Sequence, residues 1–458
     1  MRTITSILLT LMVGTMLAQG SYTMDGTLKG LPSKKIFLLS YYGEKTTPVD
    51  SAFTDSLGRF RFVFSSKRIP GQYRIQWGPN GSLDMIWNRE NISFNTDSQS
   101  PEDSLKVISS IENQIYHNYL KRERTSQAKL ELLMSIVDFY PVKDSFYQLT
   151  TREFENTQMG LRNTLDSLAG LYPTSFAVRI FKVGQSPYIP ASMNREERLK
   201  FMRQHFLDKV DFTDTALLYS NAFANKAFSY LAFYSNPRMT QKQLEPEFIK
   251  MVTVILSAAS VNAVVYKFLL DYLVGGFDKF HFDEVITYIA ENFQDPFACE
   301  DQSRKTALQR KLETFKKIAV GKIAPDIEVK DDKARLQKLS GIQSEYTLLI
   351  FWSTECSHCL DMMPRVKALY DAQKVKRFEV MAVSIDTSFN AWTSFIKKEK
   401  LNWINVSDLK GFSSKAADDY NIYATPTMFL LDRGKKILSK PISYRELEQA
   451  LKEQKLVL

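Results

Sequence analysis

Cysteine is scarce, with three residues in a chain of 458. Three thiols cannot staple a disulfide framework; they allow one redox pair and one leftover thiol. Glycine (18) and proline (16) are too few for a collagen-like or low-complexity chain. Beyond its first residues the chain also lacks an apolar run long enough to span a bilayer. Met251 to Tyr266 carries no charge, but as a helix it rises only about 24 Å against a hydrocarbon core of about 30 Å. It reads as a buried helix. Charge of one sign is not concentrated: 60 basic and 51 acidic side chains leave a net +9 that is spread thinly. That excludes the basic footprint of a nucleic-acid binder. Three of the four histidines, His117, His205 and His281, are scattered and read as surface or core groups rather than metal ligands.

What is present suits a packed globular protein. The 44% hydrophobic content supports cores, and the length suggests about three domains. Arg2, the uncharged run Ile7 to Leu17, and Ala18-Gln19-Gly20 follow the order of a secretory signal peptide. Cleavage is expected after Gly20, with Ala18 as the alternative. A retained membrane anchor competes less well because the run is short. Export of a chain with no membrane span after cleavage is therefore expected, into a compartment that permits disulfides.

Three regions differ in period. Residues 21–100 hold short alternating runs, Lys35 to Tyr42, Phe60 to Phe64 and Tyr73 to Trp77, with turn residues between them. They predict an antiparallel β-sandwich. Residues 101–318 show apolar residues at i, i+3 and i+4 and predict an all-α region, with helical segments at 105–120, 130–139, 195–206 and 248–272. Pro246 would stand at the start of the last. Cys299 has no CxxC partner and reads as a buried, inert thiol. Residues 319–458 alternate strand and helix. Tyr346 to Trp352 is a continuous apolar run, as in a strand buried on both faces. Phe378 to Asp386 is the next strand, Phe389 to Leu401 a helix, and Thr427 to Leu431 and Ile437-Leu438 flank a hairpin turn. The order predicts an α/β domain with a mixed sheet.

The chemistry sits at one turn. Cys356-Ser357-His358-Cys359 follows the buried strand and opens the next helix. Free N–H groups and the helix dipole stabilise an anion there, and the reactive form of cysteine is an anion. Cys356 is the expected activated sulfur, and Cys359 lies about one turn on, within reach of a disulfide. His358 can add positive charge or a donor; Glu355 opposes it. No second Cys/His pair completes a zinc site, and Leu360 in place of His rules out a CxxCH haem attachment. No cofactor is called for.

Residues 319–458 resemble the thioredoxin-like fold, most closely the TlpA/ResA-type envelope thiol–disulfide oxidoreductases. The matching pieces are Gly321 to Asp326, Phe351 to Cys359, Pro364, Ala424-Thr425-Pro426-Thr427 and Asp432-Arg433-Gly434. The first 318 residues look like the uncharacterised β and helical regions that precede such domains in some envelope proteins. The resemblance implies that Pro426 is cis and faces the cysteines, that Thr425 pairs main chain with a substrate peptide, and that Pro364 kinks its helix. It implies a periplasmic or cell-envelope location, protein thiols and disulfides as partners, and an electron donor linked to the membrane. Three positions depart from the pattern: Glu355 replaces a tryptophan, and Ile350 and Met362 replace the acids that would take the second cysteine's proton. Asp361, Glu355, His358 or a water are the candidates left to take it.

The expected function is exchange of the Cys356/Cys359 dithiol with partner cysteines, in the reducing direction. A His in the spacer pulls toward the alternative, a disulfide oxidase or isomerase. Further alternatives are a Cu(I)- or Zn-binding module using Cys356, His358 and Cys359, and a partner-binding scaffold in which residues 21–318 do the work. A peroxidase is disfavoured because Ser353 stands where threonine is needed and no proline precedes it at the required spacing.

Overall fold

A computed structural model describes residues 21–294, 296–297, 307–373 and 375–456. The expected leader (1–20) and Cys299 lie outside the described residues. The chain forms two compact units. One runs to Arg238 and includes Thr253–Leu269; the other contains Met239–Val252 and Leu270–Leu458.

The first unit opens with eight strands: β1 (Ser21–Lys29), β2 (Lys35–Tyr42), β3 (Lys45–Phe53), β4 (Arg59–Ser65), β5 (Gly71–Gln76), β6 (Ser82–Trp87), β7 (Ile92–Asp97) and β8 (Lys106–Ser109). They make two four-stranded sheets, ordered β4-β1-β7-β8 and β3-β2-β5-β6. The alternation of β4 buries Phe60, Phe62 and Phe64 and exposes Arg59, Arg61 and Val63, because successive side chains leave a strand on opposite faces. Both sheets feed one apolar cluster, with Met24, Phe62 and Phe94 from the first and Ile36, Ile75 and Trp87 from the second. Gly26 makes room for it: a Cβ there would lie 2.3 Å from Phe60 Cζ.

The strands are not wholly antiparallel, since β1 and β7 pair in parallel. Alternation reports which face is buried, not the direction of the neighbour, so the pattern did not distinguish the two. Lys106–Ser109, read as the start of a helix, is the edge strand β8, paired with β7. Helix begins only after Ser110, whose hydroxyl caps it by accepting from Asn113 N.

Five helices follow in this unit: α1 (Ile111–Phe139), α2 (Ser145–Leu171), α3 (Phe176–Gly184), α4 (Arg195–His205) and α5 (Ala222–Leu231). The buried Glu112 carboxylate accepts from Ser175 Oγ, Phe176 N and Ala177 N at 2.8–2.9 Å, so an acid of α1 satisfies the open N-terminus of α3.

Next come α6 (Gln241–Ala259) and α7 (Ala263–Lys279). The apolar run Met251–Tyr266 is therefore two helices, not one. Asn262 breaks it by turning its Oδ1 to the N–H groups of Val264 and Val265. Pro246 falls inside α6 rather than at its start, because Thr240 and Gln243 bond reciprocally and open the helix earlier. Among the described residues no helix is long and apolar enough to cross a membrane.

The second unit adds α8 (Asp283–Asn292), α9 (Ala307–Lys317), β9 (Glu328–Lys330), β10 (Leu336–Lys338), β11 (Tyr346–Trp352), α10 (Ser357–Asp371), β12 (Phe378–Ser384), α11 (Phe389–Glu399), β13 (Ile404–Val406), α12 (Lys415–Asp419), β14 (Thr427–Asp432), β15 (Ile437–Ser439) and α13 (Tyr444–Glu453). Its main sheet is ordered β13-β12-β11-β14-β15. β11 is central, parallel to β12 and antiparallel to β14. One face packs Leu348, Ile350 and Trp352 with residues of α10, α11 and α13; the other packs Leu349 and Phe351 with Ala416 and Ala417 of α12. Cover on both faces is why β11 reads as an unbroken apolar run. Its carboxyl end delivers the chain to the cysteines.

Candidate redox site

The turn from β11 into α10 is built on a buried carboxylate. Parallel pairing sets Trp352 beside Ser384, which brings Asp386 to the loop that follows. Asp386 Oδ1 accepts from Ser353 Oγ (2.8 Å), Thr354 N (2.9 Å) and Thr354 Oγ1 (2.8 Å), and its Oδ2 accepts from Ser384 Oγ (2.7 Å). The loop is thus fixed before the first cysteine arrives. The sequence pattern placed Asp386 at a strand end but gave it no role. Its signal was available only through the register of two strands, which no single segment carries.

Cys356 is the N-cap of α10, and its Sγ accepts from Cys359 N at 3.4 Å. Its thiol donates to the carbonyl oxygen of Thr425 at 3.1 Å. The Thr425-Pro426 peptide bond is cis. Cys356, Cys359, Thr425 and Pro426 are thereby brought together. Cys356 is half-buried, whereas Cys359 is 0% exposed. Cys359 lies in one apolar cluster with Ile350 and Met362, so the two positions that lack an acid belong to the apolar core that buries the second cysteine.

The two thiols shift in opposite directions. Burial pushes Cys356 up, but hydrogen bonding from the side chains of Thr425 and Cys359, and from the N–H groups of Cys359 and His358, outweighs it and holds the thiol below its ordinary value. Burial first, and the hydrogen bond with Cys356 second, push Cys359 up to about 12. The pair therefore offers one thiol at the surface that ionises more readily than usual and one thiol beneath it that holds its proton.

The remaining sequence candidates contribute less through their side chains. His358 is exposed, and it acts on Cys356 through its backbone N–H. Glu355 is also exposed, with its N–H donating to Ser353 Oγ at 3.1 Å. Pro364 lies within α10. Among the described residues no three His, Cys, Asp or Glu side chains gather as a metal would need.

Residues 320–440 match the AhpC/TSA family. A thiol-disulfide oxidoreductase ResA of Bacillus cereus is 32% identical over 133 residues, spanning 29% of this chain and 75% of that protein. ResA of Geobacillus kaustophilus is 28% identical over 141 residues, spanning 30% and 79%. Among solved structures, a thiol-disulfide oxidoreductase from Bacteroides fragilis is 33% identical, with a TM-score of 0.27, over 29% of this chain and 99% of that one.

Proposed function

Through its C-terminal portion the chain belongs to the thioredoxin-like thiol–disulfide oxidoreductases that include ResA, and on that premise we propose that Cys356 and Cys359 are its redox pair, exchanging with cysteines of partner proteins in the cell envelope. The observation that carries this reading is the split between the sulfurs: a half-exposed thiol held below its ordinary pKa over a buried thiol pushed up to about 12.

Thiol exchange then runs in two balanced steps. The Cys356 thiolate attacks one sulfur of a partner disulfide. A Cys356–partner bond forms, the partner's S–S bond breaks, and the released thiolate takes a proton. Cys359 next gives up its proton and attacks Cys356 Sγ. The mixed bond breaks, the partner leaves with both cysteines reduced, and the protein retains the disulfide, having supplied two electrons. The Thr425 carbonyl beside Cys356, preceding the cis bond, supports a main-chain site for the partner peptide. Reduction is the direction we favour, on the ResA-type pattern of residues 321–326, 351–359 and 424–427; it requires an electron donor, which we place at the membrane. The uncharged run at 7–17, read as the core of a leader at 1–20, supports export.

A second reading, disulfide donation, draws on one feature. Stabilising the Cys356 thiolate favours the dithiol form and makes the pair more oxidising. The reduction potential decides, measured by alkylation trapping in glutathione and dithiothreitol buffers with Cys299→Ser. A value near −270 mV (roughly that of thioredoxin) is expected; one near −120 mV (roughly that of a strong oxidant) would reverse the direction. No titrating disulfide would end the oxidoreductase reading and return weight to a scaffold role for residues 21–318.

A further inference from the structure

Within the second unit, the segment ahead of the cis bond is held by a residue 142 positions earlier in the chain. Tyr423 lies two residues before Thr425, whose carbonyl accepts from the Cys356 thiol. The Tyr423 ring stacks on His281, with centroids 5.4 Å apart and planes 4° from parallel. The Tyr423 hydroxyl and His281 Nδ1 are 2.6 Å apart and share a hydrogen bond. The bond tolerates either protonation state: a neutral imidazole accepts from the phenol, and a protonated one donates to its oxygen.

His281 is itself fixed. It occupies the turn between α7 and α8 with φ 59°, in the left-handed region, and its carbonyl accepts from Gln241 Nε2 at 2.5 Å. Ion pairs brace that turn on both sides, Lys311 with Asp278 and Lys440 with Asp283. Lys311 Nζ also lies 5.8 Å from the Tyr423 ring centroid. Beyond Tyr423, Thr427 Oγ1 donates to the Ala424 carbonyl at 2.8 Å, so the strap from Tyr423 to Thr427 has an anchor at each end. The C-terminal anchor is local; the N-terminal one comes from the helices.

We propose that His281 is a positioning residue for polypeptide partners: it holds Tyr423, and through it the Thr425-Pro426 strap, at the height where a partner's main chain can pair beside Cys356. The inference rests on the redox reading of the cysteine pair. It assigns to the helices ahead of the α/β layer a share in partner recognition. A small disulfide meets the sulfur alone, whereas a polypeptide meets both the sulfur and the strap, so loosening the strap should discriminate between them.

The test uses the full-length protein, Tyr423→Phe and His281→Asn. The first keeps the ring and removes the hydroxyl; the second keeps a side chain that tolerates positive φ. Pre-reduced protein is mixed with insulin or with oxidised glutathione, and oxidation of the pair is followed by alkylation quench. The rate with insulin should fall about fivefold in each variant, as for loss of one hydrogen bond, and the rate with oxidised glutathione should stay within about twofold. The alkylation pH profile of Cys356 should not move. An unchanged insulin rate in both variants overturns the proposal, as does an equal fall with both probes, which would mark a general disturbance. Tyr423→Phe preserves volume, so a folding failure of His281→Asn leaves the test intact. A wild-type protein that exchanges with neither probe in either direction removes the redox reading, and this inference with it.

Discussion

Two sulfurs three residues apart differ because one caps a helix and the other lies in its buried face. The cap receives N–H groups; the buried position lies in the apolar cluster that holds Ile350 and Met362. That contrast makes a direct prediction about pH. A thiol held below its ordinary value gains thiolate earlier as pH rises, so Cys356 in a Cys359→Ser variant should be alkylated with a midpoint below that of a free thiol. A thiol pushed up to about 12 stays protonated, so Cys359 in a Cys356→Ser variant should resist iodoacetamide at a pH of about 9, just above the ordinary thiol range, until the protein is denatured. Equal reactivity of the two would contradict the site geometry. The cysteines were legible in sequence because spacing and the flanking strand and helix signals define them, whereas Thr425 and Pro426 were singled out only through the family resemblance. His358 and Glu355 were legible only as neighbours. Their side chains are exposed, and what His358 supplies is a backbone group that any residue would carry.

At the scale of elements, the turn that carries the cysteines depends on a strand that does not contain it. Asp386 follows β12 and holds the loop that joins β11 to α10 through three hydrogen bonds, while Ser384 Oγ of β12 donates to its other carboxylate oxygen. Asp386→Ala leaves Ser353, Thr354 and Ser384 without that acceptor. It should lower stability by about 3 kcal/mol in urea unfolding, the scale of a lost buried network. It should also raise the alkylation midpoint of Cys356, because the N-cap position loosens. Elements whose faces are strongly patterned, β4, β11 and β12, were readable from the chain alone. The edge strand Lys106–Ser109, the break at Asn262 and the parallel β1–β7 pair were not. Each is settled by a partner distant in sequence or by one capping side chain, and hydrophobic period encodes neither.

Over the whole molecule, the α/β layer does not end where its sheet does. Ile318, just past α9, belongs to the cluster under β11, and Phe315 of α9 is 1% exposed, with Lys440 Nζ 5.8 Å from its ring centroid. A fragment of residues 319–458 leaves both side chains behind. It should be less stable than a fragment of residues 307–458 by about 2–5 kcal/mol, the cost of emptying a buried apolar site. The longer fragment still lacks His281. It should keep its rate with oxidised glutathione and show the same selective loss with insulin as His281→Asn, which single-turnover oxidation of both fragments would reveal.

The complete burial of Cys359 also decides what the protein can hold. On the proposed mechanism a guest would be tethered to Cys356, and within the protein the sulfur beneath would cut the tether. Serine at position 359 removes the blade and leaves the hook. Such a variant would accumulate its natural clients as covalent adducts, released by dithiothreitol and readable by mass, so the molecule carries within its own helix the means of naming its partners.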